Sequence, residues 1–133
     1  MERQLTTIFG DDVFAGNCNK AIEWTGFAIK SSPAMIRCCN IYKGGAQTAA
    51  ERYAESRETM KQAGDVLVQA PLLRAINAVR LGSPEEAKSE IGKALKMIPG
   101  FTAARWRAIS FASDPAVNDR QIAGLVKAGL PEH

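Results

Sequence analysis

The chain has 133 residues, 46% apolar and 23% charged, enough for one domain with a sizeable core. Its 17 Lys and Arg residues stand against 14 Asp and Glu, a formal charge of +3. The cations are interleaved with acids rather than gathered on one face, which argues against a nucleic-acid-binding module. No run approaches the roughly 18–20 apolar residues of a membrane span. The start, Met1-Glu2-Arg3-Gln4, lacks the cationic and then apolar pattern of a signal peptide, so a cytoplasmic location is expected.

Alanine is abundant and β-branched runs are few, so helix is favoured throughout. Short predicted helices at 3–9 and 18–31 open the chain, the second with Ala21, Ile22, Thr25, Ala28 and Ile29 on one face. A third is predicted over 34–43, closed by Gly44-Gly45, and a long fourth over 46–63, ended near Gly64. A fifth covers 66–81 and stops at Gly82. Ser83-Pro84-Glu85-Glu86 then offers a capping serine, a proline at the first helical position and acids at the positive end of the helix dipole. The sixth helix runs to about Met97 and a seventh lies near 102–111. Ser113-Asp114-Pro115 starts an eighth, which ends at Gly129. Its apolar face is expected to hold Val117, Ile122, Leu125 and Val126, with Asp119, Arg120 and Lys127 in water.

A repeat runs through these elements. Gly16, Ala21, Ala28 and Pro33 stand at offsets 0, 5, 12 and 17, and Gly82, Ala87, Ala94 and Pro99 repeat those offsets 66 residues later. The interval is twice the roughly 33–34 residues of a helix–turn–helix repeat. A weaker middle copy keeps Gly45 and Ala50 but has Arg57 and Gln62 at the other two places. The glycine suits a left-handed helix end, the alanines let helices approach closely, and the proline stops the second helix.

These positions, with Ala75 seven before Gly82 and Ile91 after the first alanine, resemble the tetratricopeptide repeat. The resemblance implies an all-α, right-handed helical-hairpin solenoid of about seven or eight helices in a single domain, 1–133. Its repeats would span about 1–33, 34–65 and 66–99, with C-terminal capping helices over 101–129. The tail, from Phe101-Thr102-Ala103-Ala104-Arg105-Trp106-Arg107 to Gly124-Leu125-Val126-Lys127-Ala128-Gly129-Leu130-Pro131-Glu132, is similar to the C-terminal tetratricopeptide region of bacterial class III adenylate/guanylate cyclase-like multidomain proteins. Related architectures carry a winged-helix DNA-binding domain instead. The resemblance implies a bacterial origin. The cyclase domain's metal-binding and purine-selecting residues have no counterpart here, so no catalytic role carries over.

Chemistry-bearing groups are sparse. The single histidine is His133, no Ser–His or Cys–His pair can be drawn, and CxxC, HExxH and phosphate-loop patterns do not occur. Cys18, Cys38 and Cys39 read as small apolar side chains, and Asp11-Asp12 and Glu85-Glu86 as solvated loop and helix start. No enzyme activity, cofactor or metal is expected. The expected role is protein–protein interaction or scaffolding, as the regulatory or assembly part of a cyclase-related signalling protein. A DNA-associated regulator's interaction domain and an enzyme with an unrecognised site are the alternatives. First helices of stacked hairpins line a concave face. That places Met35, Cys39, Tyr42, Lys43, Gln69, Leu72, Leu73, Ile76, Val79 and Arg80 as a groove for a protein or peptide, unless the stripe packs on its own neighbouring helices. The incomplete first repeat, with Ile22 and Phe27 uncovered, implies a homodimer joined there.

Overall fold

The computed structural model describes residues 33–133, the side chains of 33–36 and 38 excepted. The expected helices at 3–9 and 18–31, the Gly16–Ala28 framework, Cys18 and the dimer face of Ile22 and Phe27 lie outside these. The described residues form helices and no strand: α1 (Pro33–Ala49), α2 (Tyr53–Met60), α3 (Gln69–Arg80), α4 (Pro84–Met97), a 3₁₀ turn (Ala103–Arg105), the one-turn α5 (Trp106–Ile109) and α6 (Pro115–Ala128). None is long and apolar enough to cross a membrane.

Two hairpins, α1–α2 and α3–α4, carry most of the packing, and α3 is the hub that also touches α1, α2 and α6. Its sequence explains the role. Ala70, Leu72, Leu73, Ala75, Ile76 and Ala78 are all buried, so the helix is covered on nearly every side, with small residues allowing close approach. Ala87 and Ala94 of α4 are fully buried and Ile91 nearly so, as the repeat spacing predicts.

Three helix ends share one device. At Gly82 the amides of Gly82 and Ser83 donate to Val79 O and Ala78 O, and at Gly129 those of Gly129 and Leu130 donate to Val126 O and Leu125 O. Both are Schellman ends with glycine in the left-handed region, at φ of 81° and 113°. The third ends α1 without glycine. Glu51 holds φ of 63°, its amide donating to Thr48 O and that of Arg52 to Gln47 O.

This third end corrects the predicted break at Gly44-Gly45 and the predicted helix 46–63. Both glycines sit inside α1, which continues to Ala49 before the chain turns into the short α2. They serve close approach rather than termination. A Cβ on Gly44 would lie 2.3 Å from Met60 Sδ, and one on Gly45 2.9 Å from Phe111 Cδ2 and 3.5 Å from a Leu73 methyl. The middle repeat copy therefore lacks the capping glycine, and its Ala50 is exposed. Gly45→Ala is expected to destabilise the chain by about 1–2 kcal/mol. The gain in helix propensity, about 1 kcal/mol, is outweighed because Phe111 is buried and stacked 4.2 Å from Tyr42 and cannot withdraw without overpacking. Urea midpoints of the two proteins check this; an unchanged or higher midpoint would refute it.

The C-terminal part differs from expectation in three places. The predicted helix at 102–111 is a 3₁₀ turn followed by a single α-turn. The free amides of that turn are taken up by the chain's final residues: Ala103 N–H donates to Pro131 O and Ala104 N–H to Glu132 O, while Leu130 is buried beside them. The inward face of α6 consists of Asn118, Gln121, Gly124, Leu125 and Ala128, so Val126 is outside, 39% exposed, and Val117 and Ile122 are only half-buried. Arg120, expected in water, is half-buried; it donates to Ala49 O at 2.9 Å and lies 3.5 Å from Glu51. Asp114 caps α6 through Ala116 N–H at 2.9 Å, whereas Ser83 occupies the cap position of α4 without a side-chain hydrogen bond.

Candidate functional site

The expected groove residues do not assemble into an open surface. Cys39, Tyr42, Leu72, Leu73 and Ile76 are buried in the core. Lys43, Gln69 and Val79 are half-buried and Arg80 is exposed; the side chain of Met35 lies outside the described residues. Gln69 donates to Ile109 O at 3.0 Å and Arg80 to Arg120 O at 3.0 Å. Tyr42 stacks on Phe111 rather than facing a partner. The apolar members thus meet their own neighbouring helices, because α1 and α3 are interior helices on which α2, α4 and α6 are laid.

What lies open is a cleft of about 280 Å³ between α2 and α4, lined by Arg57, Lys61, Arg74, Asn77, Glu86 and Glu90. Helical spacing creates its walls. Arg57 on α2 and Lys61 at its C-cap are four apart, and Glu86 and Glu90 are four apart on α4, so each pair shares a face. The floor is α3. Both wall helices pack on α3 and scarcely on each other.

One bond crosses the mouth: Arg57 Nη2 donates to Glu86 Oε1 at 2.5 Å, both side chains about a third exposed. Lys61 is turned along its own helix to Glu58 at 2.8 Å. That hydrogen bond, with the Lys61 charge and more weakly that of Arg57, holds the Glu58 carboxyl below its ordinary range against a slight opposing desolvation. Glu58 is fully exposed, so its contribution to stability is negligible in solvent.

Arg74 at the floor is different. Its side chain is only 15% exposed and reaches four acceptors. They are Asp65 Oδ1 at 2.6 Å, Glu90 Oε1 at 3.3 Å, Gly64 O at 2.5 Å and Met60 O at 3.4 Å. Arg74 therefore ties the turn after α2 to α4, with four of its five N–H donors committed. Glu90 is equally engaged, since Lys93 approaches its other oxygen at 3.2 Å.

Directly beneath lies a buried polar knot. Thr48 Oγ1 donates to Asn77 Oδ1 at 2.8 Å, Asn77 Nδ2 donates to Ser56 Oγ at 2.9 Å, and Ser56 Oγ donates to Gly44 O at 2.8 Å. The two hydroxyl oxygens are also 2.8 Å apart. Thr48, Ser56 and Asn77 are at most 1% exposed, and they join α1, α2 and α3 at one point. The knot is internal scaffold: its groups satisfy one another.

A second space, of about 30 Å³, lies among Gly45, Ala46, Ala49, Leu73, Trp106, Phe111 and Gln121. It holds water-sized occupants only. No cluster of His, Cys, Asp and Glu suited to a metal occurs among the described residues.

Neither the cleft nor the knot was singled out in the sequence. The acids of α4 read there only as a helix start, and the matching four-residue spacings on 57/61 and 86/90 were the available signal. Comparison with protein-family models, with characterised proteins and with solved structures gives no match.

Proposed function

We propose that the chain is a protein–protein interaction or scaffolding module. The observation that carries this is the open, oppositely charged cleft whose two walls are seated on the hub helix α3. In this reading the hairpins α1–α2 and α3–α4 are tetratricopeptide-like units of a right-handed solenoid. The chain then serves as the assembly or regulatory end of a bacterial cyclase-related signalling protein, cytoplasmic and dimeric through its N-terminal repeat. The Gly82–Pro99 framework and the tail motif support that reading; the ligand-facing surface shifts from the apolar stripe of α1 and α3 to the cleft.

Cross-linking of the tagged full chain in its native cells, followed by mass spectrometry, tests the proposal. Reproducible cross-links from α2 or α4 to one protein partner are expected. Absence of any partner enriched over a tag-only control would remove the interaction reading. Sedimentation as a strict monomer at high micromolar concentration would remove the dimer.

A further inference from the structure

We propose that the cleft between α2 and α4 is a docking site for a peptide segment of mixed charge, one acidic side chain meeting Arg57 and Lys61 and one basic side chain meeting Glu86. This rests on the interaction-module reading and names the class of partner. The two walls present opposite charge, Arg57 and Lys61 on one side and Glu86 on the other, while Glu90 is buried and held by Arg74 and Lys93. They are seated separately on α3, so the space between them is not filled by their own packing. The bond that spans the mouth, Arg57–Glu86, is solvent-accessible, and such pairs contribute little to stability. It is therefore readily exchanged. A ligand bearing only negative charge would satisfy Arg57 but strand Glu86, and a purely basic one would do the reverse. A segment carrying both signs replaces each partner in kind and leaves no charge unpaired. Lys61 has a second option in the same exchange, since its present partner Glu58 is exposed on its own helix. Arg74 does not take part: its four acceptors are all internal, and it fixes the floor.

The test uses the labelled full chain, titrated with three short synthetic peptides and followed by amide chemical shifts. One peptide alternates Glu and Lys, one carries only Glu, one only Lys. The alternating peptide is expected to shift amides around 57, 61, 86 and 90 at concentrations where the other two leave them unmoved. Arg57→Glu, and separately Lys61→Glu, should each weaken that binding about tenfold. An equal or larger response to the all-Glu peptide, shifts centred elsewhere, or no shift would overturn the proposal. In the cross-linking experiment, a partner held equally by the wild-type chain and by Arg57→Glu would sink the cleft as its site while leaving the interaction reading intact. Loss of all partners from the wild-type chain would sink the reading itself.

Discussion

Asn77→Ala is expected to lower the unfolding free energy by about 2 kcal/mol, although it removes only one polar side chain. Asn77 is completely buried and is both acceptor for Thr48 and donor to Ser56. Its loss removes two buried hydrogen bonds and leaves a small cavity at the floor of the cleft, while the Thr48 hydroxyl turns to Ser56 Oγ, 2.8 Å away, so that the two hydroxyls pair with each other. The cost is that of the lost amide hydrogen bonds and the cavity, reduced because the two hydroxyls remain partners for each other. The control is Thr48→Val, Ser56→Ala and Asn77→Leu together. With every partner made apolar, the triple variant is expected to lie within about 1 kcal/mol of wild type. Asn77→Asp adds a signature in pH. Burial raises the folded-state pKa of the new carboxyl above its unfolded value of about 4. That variant should be most stable below pH 4 and lose stability as pH rises from there through the raised pKa. Chemical denaturation across pH measures all three; an Asn77→Ala loss under 1 kcal/mol would show that the knot is not an energetic unit.

Trp106→Ala is expected to cost about 3–5 kcal/mol, among the largest single effects in the chain. Trp106 is 1% exposed although its helix is a single turn, so side-chain burial holds α5 in place. Its indole N–H donates to Gln121 Oε1 at 2.9 Å, joining α5 to α6 where both are buried. Trp106→Phe separates the two contributions. It retains most of the apolar contact and strands the Gln121 oxygen, so a loss of about 1–2 kcal/mol is expected. Far-UV circular dichroism is the suitable probe, because Trp24 would still contribute fluorescence in either variant. Equal losses for Ala and Phe would place the whole effect in the hydrogen bond and contradict the packing account.

Much of the helical architecture was legible where local chemistry and tertiary role coincide. Gly82 and Gly129 end helices as their positions announce, Pro84 begins α4, and the alanines at 87 and 94 are buried at a helix contact. The misreadings arise where one residue type serves two ends. Gly44 and Gly45 look like caps, yet their missing side chains admit Met60 and Phe111 from distant segments. The true end of α1 is at Glu51, a residue whose type gives no hint of a left-handed backbone. Burial of α6 was misplaced because polar Asn118 and Gln121 turn inward to bond Ala112 O and Trp106, displacing Val126 to the surface. The cleft depends on which helices share α3 as a floor, and that is a property of the assembled chain.

The polar knot also settles how the helices are aligned. Where α1 meets α3, Gly45 lies against Leu73 and Thr48 bonds Asn77, and apolar contact alone distinguishes poorly between neighbouring registers. Sliding α3 by one helical turn along α1 would bring Leu73 or Leu81 to the place of Asn77, opposite Thr48 and Ser56. Both hydroxyls would then be buried without their amide. The slipped arrangement would lose both hydrogen bonds of the Asn77 amide, at the cost described for Asn77→Ala. Three small polar side chains thus give an otherwise permissive core a single admissible alignment, and the walls of the cleft inherit their spacing from it.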